Sequence, residues 1–272
     1  MQQEGYIESL TQKELDVIEV IKLAFRSLKK TWAQSLPVPA VASFLYGLAT
    51  YEYSLGATSA ALENPDQGPQ AFSALYLESL GISVAMGLLL SLSMIFPLRA
   101  AVRASGLKTL ENSSLGLQAL FLLLITVIIS VTSTVGLVFC IVPGIAVAIA
   151  FSLSPASLVL DDAGPGKALA NAYRTFSVRK SKVLALVLLL GLVTGLICFI
   201  AMLPALAYYI YALIQVIVTN QPELLLNVMQ TYIMLIVVGI AISLPFSVAL
   251  AGHTLVLAYA NFRNFMPVGP EF

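Results

Sequence analysis

The side chains that most often carry catalysis are few in this sequence and are not spaced for it. The chain has one histidine, His253, and two cysteines, Cys140 and Cys198, all in apolar stretches. A Ser–His–Asp set or a metal site needs several such groups. We interpret His253 as a polar side chain near a membrane interface, with a proton-sensitive group or a carbonyl partner as alternatives, and the cysteines as buried small residues. We therefore predict no catalytic residue, no metal site and no cofactor, and the protein is not expected to be an enzyme.

Residues 164–167, Gly-Pro-Gly-Lys, look like part of a phosphate-binding loop. A Walker A sequence would need Gly at position 161 and Ser or Thr at position 168, where this chain has Asp161 and Ala168. The pair Asp161–Asp162 is compatible with a divalent cation, but a carboxylate at a helix–loop junction more often caps the following helix. We reject the phosphate loop and interpret the acidic pair as a cap.

The basic side chains are the remaining groups that could hold a ligand, and they fall into four clusters. The clusters lie at residues 13–30, 99–108, 167–182 and 263. Two long apolar stretches separate each cluster from the next, and the turns between those stretches contain no Lys or Arg. Because basic residues accumulate on the cytoplasmic side of a membrane, this pattern predicts six spans with both termini in the cytoplasm.

The composition agrees with a membrane protein. The chain is 59% hydrophobic and only 10% charged, whereas a soluble domain has about 25% charged residues. The formal net charge is zero, so nucleic acid is not an expected partner. Five of the acidic residues lie in the predicted outer segments, which leaves the inner face basic and attracts it to anionic lipid.

The predicted fold is an all-α, polytopic membrane helix bundle with a single six-helix transmembrane domain at residues 36–262. The predicted spans are about 36–55, 79–98, 115–139, 144–160, 183–212 and 224–258. The fourth is just long enough to cross a bilayer at 1.5 Å per residue. The last two are too long to be straight spans, and Pro204 and Pro245 predict kinks within them. Residues 56–76 are predicted to form the longest outer loop.

Two amphipathic cytoplasmic helices complete the prediction. The first occupies residues 11–30 of a cytoplasmic segment, 1–35, and Thr11 and Glu14 have capping-box spacing. Its apolar stripe contains Val17, Ile18, Ile21, Phe25, Leu28 and Trp32. This stripe predicts either a helix in the membrane interface or one docked on the protein.

The second amphipathic helix is predicted at residues 165–179. Its apolar side contains Ala168, Leu169, Ala172, Tyr173 and Phe176. The tail, 263–272, ends in a sequence typical of a cloning or protease-site remnant. The first 30 residues lack the apolar segment of a cleavable signal peptide.

Glycines suggest two places where helices approach closely. The short connection at residues 142–144 predicts an antiparallel hairpin of spans three and four. Gly191 and Gly195 form a GxxxG pattern, which permits close helix approach. We expect packing within the bundle there, with a dimer face as the alternative.

A more specific pattern covers residues 141–182. A Val-Pro-Gly-Ile hairpin is followed by an apolar helix with a Ser-Pro step, an acidic exit and a short amphipathic helix that ends in basic residues. The matching residues are Val142, Pro143, Gly144, Ile145, Pro155, Asp161, Arg174 and Lys182. The pattern resembles the YciC family of bacterial inner-membrane proteins and, more distantly, the membrane domain of some glycerophosphodiester phosphodiesterases. The resemblance implies a multi-pass protein of the bacterial cytoplasmic membrane that is linked to envelope integrity, and it supplies no catalytic residues.

These observations favour a non-enzymatic membrane protein that supports cell-envelope homeostasis by binding lipid or a protein partner. The candidate binding residues are Lys167, Arg174, Arg179, Lys180 and Lys182. The expected partners are membrane lipids, with a membrane protein or a second copy of the chain as alternatives. A transporter or lipid-translocating protein is the alternative function, in which the proline-containing spans would open a cleft. The scarcity of ionisable residues at membrane depth argues against ion coupling.

Overall fold

The structure, a computed structural model, describes residues 10, 12–63, 68–107, 114–139, 141–219 and 224–266, and all secondary structure in these ranges is helical. The helices are α1 (Val17–Ser35), α2 (Pro37–Glu63), α3 (Gly68–Ser93), α4 (Ile95–Ser105), α5 (Leu115–Phe139), α6 (Ile141–Ala150), α7 (Ser154–Leu160), α8 (Pro165–Val178), α9 (Lys180–Thr219) and α10 (Leu224–Asn264). Thr11, Cys140 and the end of the tail, 267–272, lie outside the described residues. The all-α prediction is confirmed.

Five stretches of the described residues are long and apolar enough to cross a membrane. They are Gly81–Ser105, Leu115–Val138, Ile141–Leu160, Lys180–Thr219 and Asn227–Asn264. The predicted first span falls within α2, which is not among the five. This helix begins with two prolines and carries Glu52 between two tyrosines, which lowers its hydropathy. The apolar helices suggest a multi-pass membrane protein.

Several boundaries differ from the predictions. The predicted outer loop, 56–76, is helical wherever it is described, because α2 continues to Glu63 and α3 starts at Gly68; residues 64–67 lie outside the described residues. The fourth span consists of two helices, α6 and α7, separated by turns at 151–153. As predicted, Pro204 and Pro245 lie inside the last two long helices, α9 and α10, and the kinks at these positions stay predictions.

The chain divides into two compact units. Unit 1 comprises residues 1–37, 91–194 and 248–272, and unit 2 comprises residues 38–90 and 195–247. Both amphipathic helices, α1 and α8, belong to unit 1, together with the C-terminal part of α10. The polar side chains discussed below all lie in unit 1.

Helix α1 begins later than predicted because a different capping box starts it. The Asp16 side chain accepts a hydrogen bond from the Val17 backbone N–H at 2.8 Å, and Glu19 accepts one from the Asp16 N–H at 3.0 Å. The bond from the Asp16 backbone, aided by nearby Lys13, lowers the pKa of the Glu19 carboxyl. Glu14, which was predicted to belong to the cap, instead pairs with basic residues of the α8–α9 region.

The residues of the predicted apolar stripe of α1 lie on two different faces of the helix, one buried and one exposed. The face docked on unit 1 contains the buried residues Val17, Val20, Ile21, Ala24, Ser27 and Leu28. Ile18, Phe25 and Trp32, spaced by seven residues, are 53%, 44% and 62% exposed. Both predicted readings of α1 are therefore compatible with the structure, since one face packs on the protein and a second apolar face is left outside.

Helices α5 and α6 pack closely where they join. A Cβ atom added to Gly144 would lie 2.6 Å from Leu137 Cγ and 2.7 Å from the Ser133 carbonyl oxygen, and one added to Gly136 would lie 2.8 Å from Gly144 Cα. The two helices thus pack closely, as the predicted hairpin requires, but residues 142–144, which were predicted to form its connection, belong to α6. Only glycine fits at positions 136 and 144. At Gly191 and Gly195 an added Cβ would meet no atom of the described residues within 4 Å, so the predicted close approach at the GxxxG pattern is not found there.

Candidate functional site

Asp161 is the centre of a polar cluster built from three helices of unit 1. It lies at the C-terminal end of α7. Tyr259 and Arg263 approach it from α10, one turn apart, and Asn171 approaches from α8. Ser157, one turn earlier on α7, completes the cluster. Residues about 100 positions apart in the sequence thus share one carboxylate.

The Asp161 carboxylate is fully engaged. Its Oδ2 accepts hydrogen bonds from the Tyr259 hydroxyl at 2.5 Å, the Ser157 hydroxyl at 3.0 Å and the Asn171 amide at 3.0 Å. Its Oδ1 forms an ion pair with Arg263, whose guanidinium also lies over the Tyr259 ring at 5.9 Å. The Asp161 side chain is only 12% exposed. Because both oxygens have charged or polar donors, this carboxylate holds the helices together and is not available as a general base.

The neighbouring residue, Asp162, belongs to a second chain of hydrogen bonds. It has a left-handed backbone, with φ 51°. It accepts from the Gln118 amide at 3.0 Å, and the Gln118 carbonyl oxygen accepts from Arg99 at 3.0 Å. The predicted role of the acidic pair as a cap for α8 is wrong, because the N-cap is Gly164 and the hydrogen bonds of Asp161 and Asp162 go to side chains elsewhere. Among the described residues, no group of three His, Cys, Asp or Glu side chains could hold a metal ion.

A cavity of about 510 Å³ lies beside the Asp161 cluster. Asp161, Tyr259 and Asn171 contribute to its polar wall, and Lys167, Arg174 and Arg263 bring three positive charges. Lys167, Asn171 and Arg174 share one face of α8, since they are four and three residues apart. This volume is within the range of small-ligand pockets, so the cavity is large enough for a phosphate group and part of what it is attached to.

The cavity lies where two candidate spans end. Leu160, the last residue of the span Ile141–Leu160, lines it, and so does Asn264, the last residue of the span Asn227–Asn264. A 20-residue span such as Ile141–Leu160 is long enough to cross the hydrocarbon core once, so its ends are expected near the lipid headgroups. The 38-residue span Asn227–Asn264 is longer than a core of about 30 Å needs.

The structure separates the five basic residues that the sequence had grouped. Lys167 and Arg174 line the cavity. Arg179 and Lys182 instead form ion pairs with Glu14, at 3.2 and 3.0 Å, and Arg179 also donates to the Phe265 carbonyl at 2.6 Å. Lys180 is exposed and does not line the cavity. Arg179 and Lys182 thus fasten the N-terminal segment and the C-terminal end to the α8–α9 junction.

Sequence reasoning missed three residues of the site: Tyr259, Arg263 and Asn171. Arg263 was counted only as a topological marker, and the i, i+4 spacing of Tyr259 and Arg263 on one helix face was the available signal. Nothing local in the sequence indicates that this face meets Asp161. Asn171 lies between Lys167 and Arg174 on α8. It was not predicted because the interpretation of that helix relied on the spacing of its apolar residues.

The only histidine forms a separate buried cluster in unit 1. His253 is fully buried within the protein, and its place near a membrane interface stays a prediction. Its Nδ1 lies 2.8 Å from the Ser27 hydroxyl, and its Nε2 lies 3.0 Å from the Ser35 hydroxyl and 3.3 Å from the Thr31 hydroxyl. Its partners are therefore three hydroxyls of α1, not a carbonyl, and they fix α1 to α10.

The residues that carry the family resemblance take several different roles. Val142 and Ile145 are exposed, Pro143 lies in the first turn of α6, and Gly144 makes the close contact of the hairpin. Pro155 lies in the first turn of α7. Of the other three, Asp161 and Arg174 belong to the cavity and Lys182 pairs with Glu14. The motif therefore contributes two residues to the candidate site.

The comparisons with known proteins add no functional assignment. Known protein families, characterised proteins and solved structures give no match to this chain. The candidate site is consequently interpreted from its own geometry and charge.

Proposed function

We propose that this protein is a non-enzymatic, multi-pass protein of the bacterial inner membrane that binds an anionic lipid headgroup in the cavity beside Asp161, and that it supports cell-envelope homeostasis through this binding. The observation that carries the proposal is the convergence of three cations on a cavity at the ends of two apolar spans. The bacterial inner membrane and the envelope role rest on the resemblance of residues 141–182 to the YciC family.

Two of the three cations are available for a ligand. The Arg263 charge is already balanced by Asp161. Lys167 and Arg174 are exposed, and among the described residues their side chains have no hydrogen-bonding or ion-pair partner. Their long side chains can reach a headgroup while their stems stay on the protein. A phosphate would supply the missing negative charge.

The proposal is tested by the lipid that the protein retains when it is extracted with its surrounding bilayer. In the double variant Lys167→Gln/Arg174→Gln, retention of anionic lipid, measured by native mass spectrometry, is expected to fall at least about tenfold. Each lost bond to a charged group costs about 1.5–3 kcal/mol, and 1.4 kcal/mol corresponds to a factor of ten.

The matched control is Lys29→Gln/Lys180→Gln, which removes the same net charge from two exposed lysines outside the cavity. This control is expected to retain anionic lipid like the unaltered protein. Equal losses of anionic lipid in both double variants would show that only overall surface charge matters. If the retained lipid has the composition of the bulk membrane and another protein is co-extracted in a fixed ratio, the ligand is a protein partner and not a lipid.

We also propose the finer topology. The protein has six spans, namely the five apolar stretches and α2, which is the first along the chain, and both termini are in the cytoplasm. The support is the distribution of basic residues, since cations accumulate on the inner side. In a cysteine-free background, Ser177→Cys on α8 is expected to react only with reagents that enter the cytoplasm, and Asp66→Cys with reagents outside. Labelling of position 177 from outside would place the cavity on the other face and reject this topology.

The transporter alternative depended on prolines that interrupt the last two spans. Pro204 and Pro245 lie inside α9 and α10, whereas the polar cavity that carries our proposal lies at the ends of two spans. No observation of the described residues favours transport, so lipid binding is the function we propose.

A further inference from the structure

We infer that the cavity selects phosphate headgroups that carry two negative charges over those that carry one. This inference rests on the proposed lipid-binding function and names the ligand class of the same site. It follows from the number of charges that line the cavity, from the engagement of Asp161, and from the placement of Lys167 and Arg174.

Among the described residues that line the cavity, positive charges exceed negative charges by two. Lys167, Arg174 and Arg263 are the cations, and Asp161 is the one acidic residue among the described lining residues. Arg263 and Asp161 neutralise each other in an ion pair. A headgroup with one negative charge would leave one cation of the pair Lys167 and Arg174 uncompensated, whereas a headgroup with two would balance both.

Zwitterionic headgroups find no uncompensated carboxylate for their ammonium group among the described residues that line this cavity. An ammonium group is bound most strongly by a negatively charged acceptor. The Asp161 carboxylate already accepts from Tyr259, Ser157, Asn171 and Arg263. A phosphatidylethanolamine headgroup would therefore bring a positive charge into a cavity that is already cationic.

The two cations that are available for a ligand, Lys167 and Arg174, lie two turns apart on α8. Lys167 and Arg174 are seven residues apart on one face, or about 10.5 Å along the helix axis. Long, flexible side chains allow both to converge on one phosphomonoester, and their separation also suits two phosphodiesters held by one glycerol. The shared chemistry is a doubly charged phosphate headgroup, and the cavity of about 510 Å³ has room for either form.

The test uses the full chain in nanodiscs of phosphatidylcholine that contain equal mole fractions of phosphatidate, cardiolipin and phosphatidylglycerol. Retention of each lipid is measured by native mass spectrometry. At neutral pH we expect the doubly charged lipids to be retained about tenfold more than phosphatidylglycerol. This preference is expected to disappear in Lys167→Gln/Arg174→Gln and to persist in Lys29→Gln/Lys180→Gln.

The dependence on pH identifies which doubly charged headgroup is bound. The second ionisation of a phosphomonoester has a pKa of about 6, so acidification below that value makes phosphatidate singly charged. The two phosphodiesters of cardiolipin keep their charges. A preference that is lost on acidification assigns the site to a phosphomonoester, and one that persists assigns it to paired phosphodiesters.

The outcomes separate the two proposals. If phosphatidylglycerol is retained as strongly as the doubly charged lipids and the double variant loses all three, charge selection is rejected and lipid binding stands. If no anionic lipid is retained above its bulk fraction, and inorganic phosphate does not stabilise the lipid-free protein, both are rejected. If inorganic phosphate stabilises the lipid-free protein in detergent and no lipid is preferred, the doubly charged phosphate is kept as the ligand but its lipid source is rejected.

Discussion

Replacing Asp161 by alanine is expected to lower the free energy of unfolding of unit 1 by roughly 3 kcal/mol. The substitution leaves the buried Tyr259 hydroxyl, the Asn171 amide and the Arg263 guanidinium without their shared acceptor. Removing one partner of a buried ion pair costs about 3–5 kcal/mol, and the partial exposure of Arg263 reduces that cost because water solvates the freed charge. The effect is measured as a lower midpoint of thermal unfolding in detergent.

Asp162→Asn is the matched control for this substitution, at the next position in the chain. Asparagine keeps an oxygen that can accept from the Gln118 amide, and it tolerates the left-handed backbone of this residue. The control keeps this hydrogen bond but removes the negative charge that acts on Arg99, so its free energy of unfolding is expected to fall by about 1 kcal/mol or less. An Asp161→Ala midpoint equal to that of the control would show that the cluster does not hold the three helices together.

The Asp161 cluster shows which part of the site can be predicted from a sequence. Lys167 and Arg174 were predicted as ligand-binding residues because their cluster of charge is local in the chain. The engagement of Asp161 by Tyr259 and Arg263 was not predicted, because it depends on how α7 meets the end of α10. Periodicity and charge runs describe one helix at a time, whereas a cavity is made by several.

Helix α1 illustrates the same limit for the fold. Its existence, helical type and apolar surface follow from the 3.6-residue period. The period does not tell which apolar residues dock on the protein, and the predicted stripe mixed the buried Val17, Ile21 and Leu28 with the exposed Phe25 and Trp32. Burial was decided by partners elsewhere in the chain, above all by α4, against which α1 packs.

Replacing His253 by alanine is expected to release the C-terminal half of α1 from unit 1. The imidazole lies within hydrogen-bonding distance of the Ser27, Thr31 and Ser35 hydroxyls and is fully buried. Its removal leaves the Ser27 hydroxyl without this partner, at about 1–3 kcal/mol for an unsatisfied buried group, whereas the Thr31 and Ser35 hydroxyls still contact each other. It also opens a cavity in a packed region. We expect a total loss of about 2–4 kcal/mol, large enough to raise the population of a detached helix by at least an order of magnitude.

Tryptic cleavage within α1 measures this release, because its basic residues are cut only when the helix opens locally. Cleavage after Arg26, Lys29 and Lys30 is expected to be at least about tenfold faster in His253→Ala, since 1.4 kcal/mol already corresponds to a factor of ten. Thr254→Val is the matched control: it changes the next residue of α10, also fully buried, whose hydroxyl has no partner among the described residues. Equal cleavage of both variants would show that the histidine does not fasten α1.

Asn261 separately binds the backbone at Leu10, Lys13 and Leu15. Cleavage at Lys13 is therefore expected to become faster only when Asn261→Ala is added.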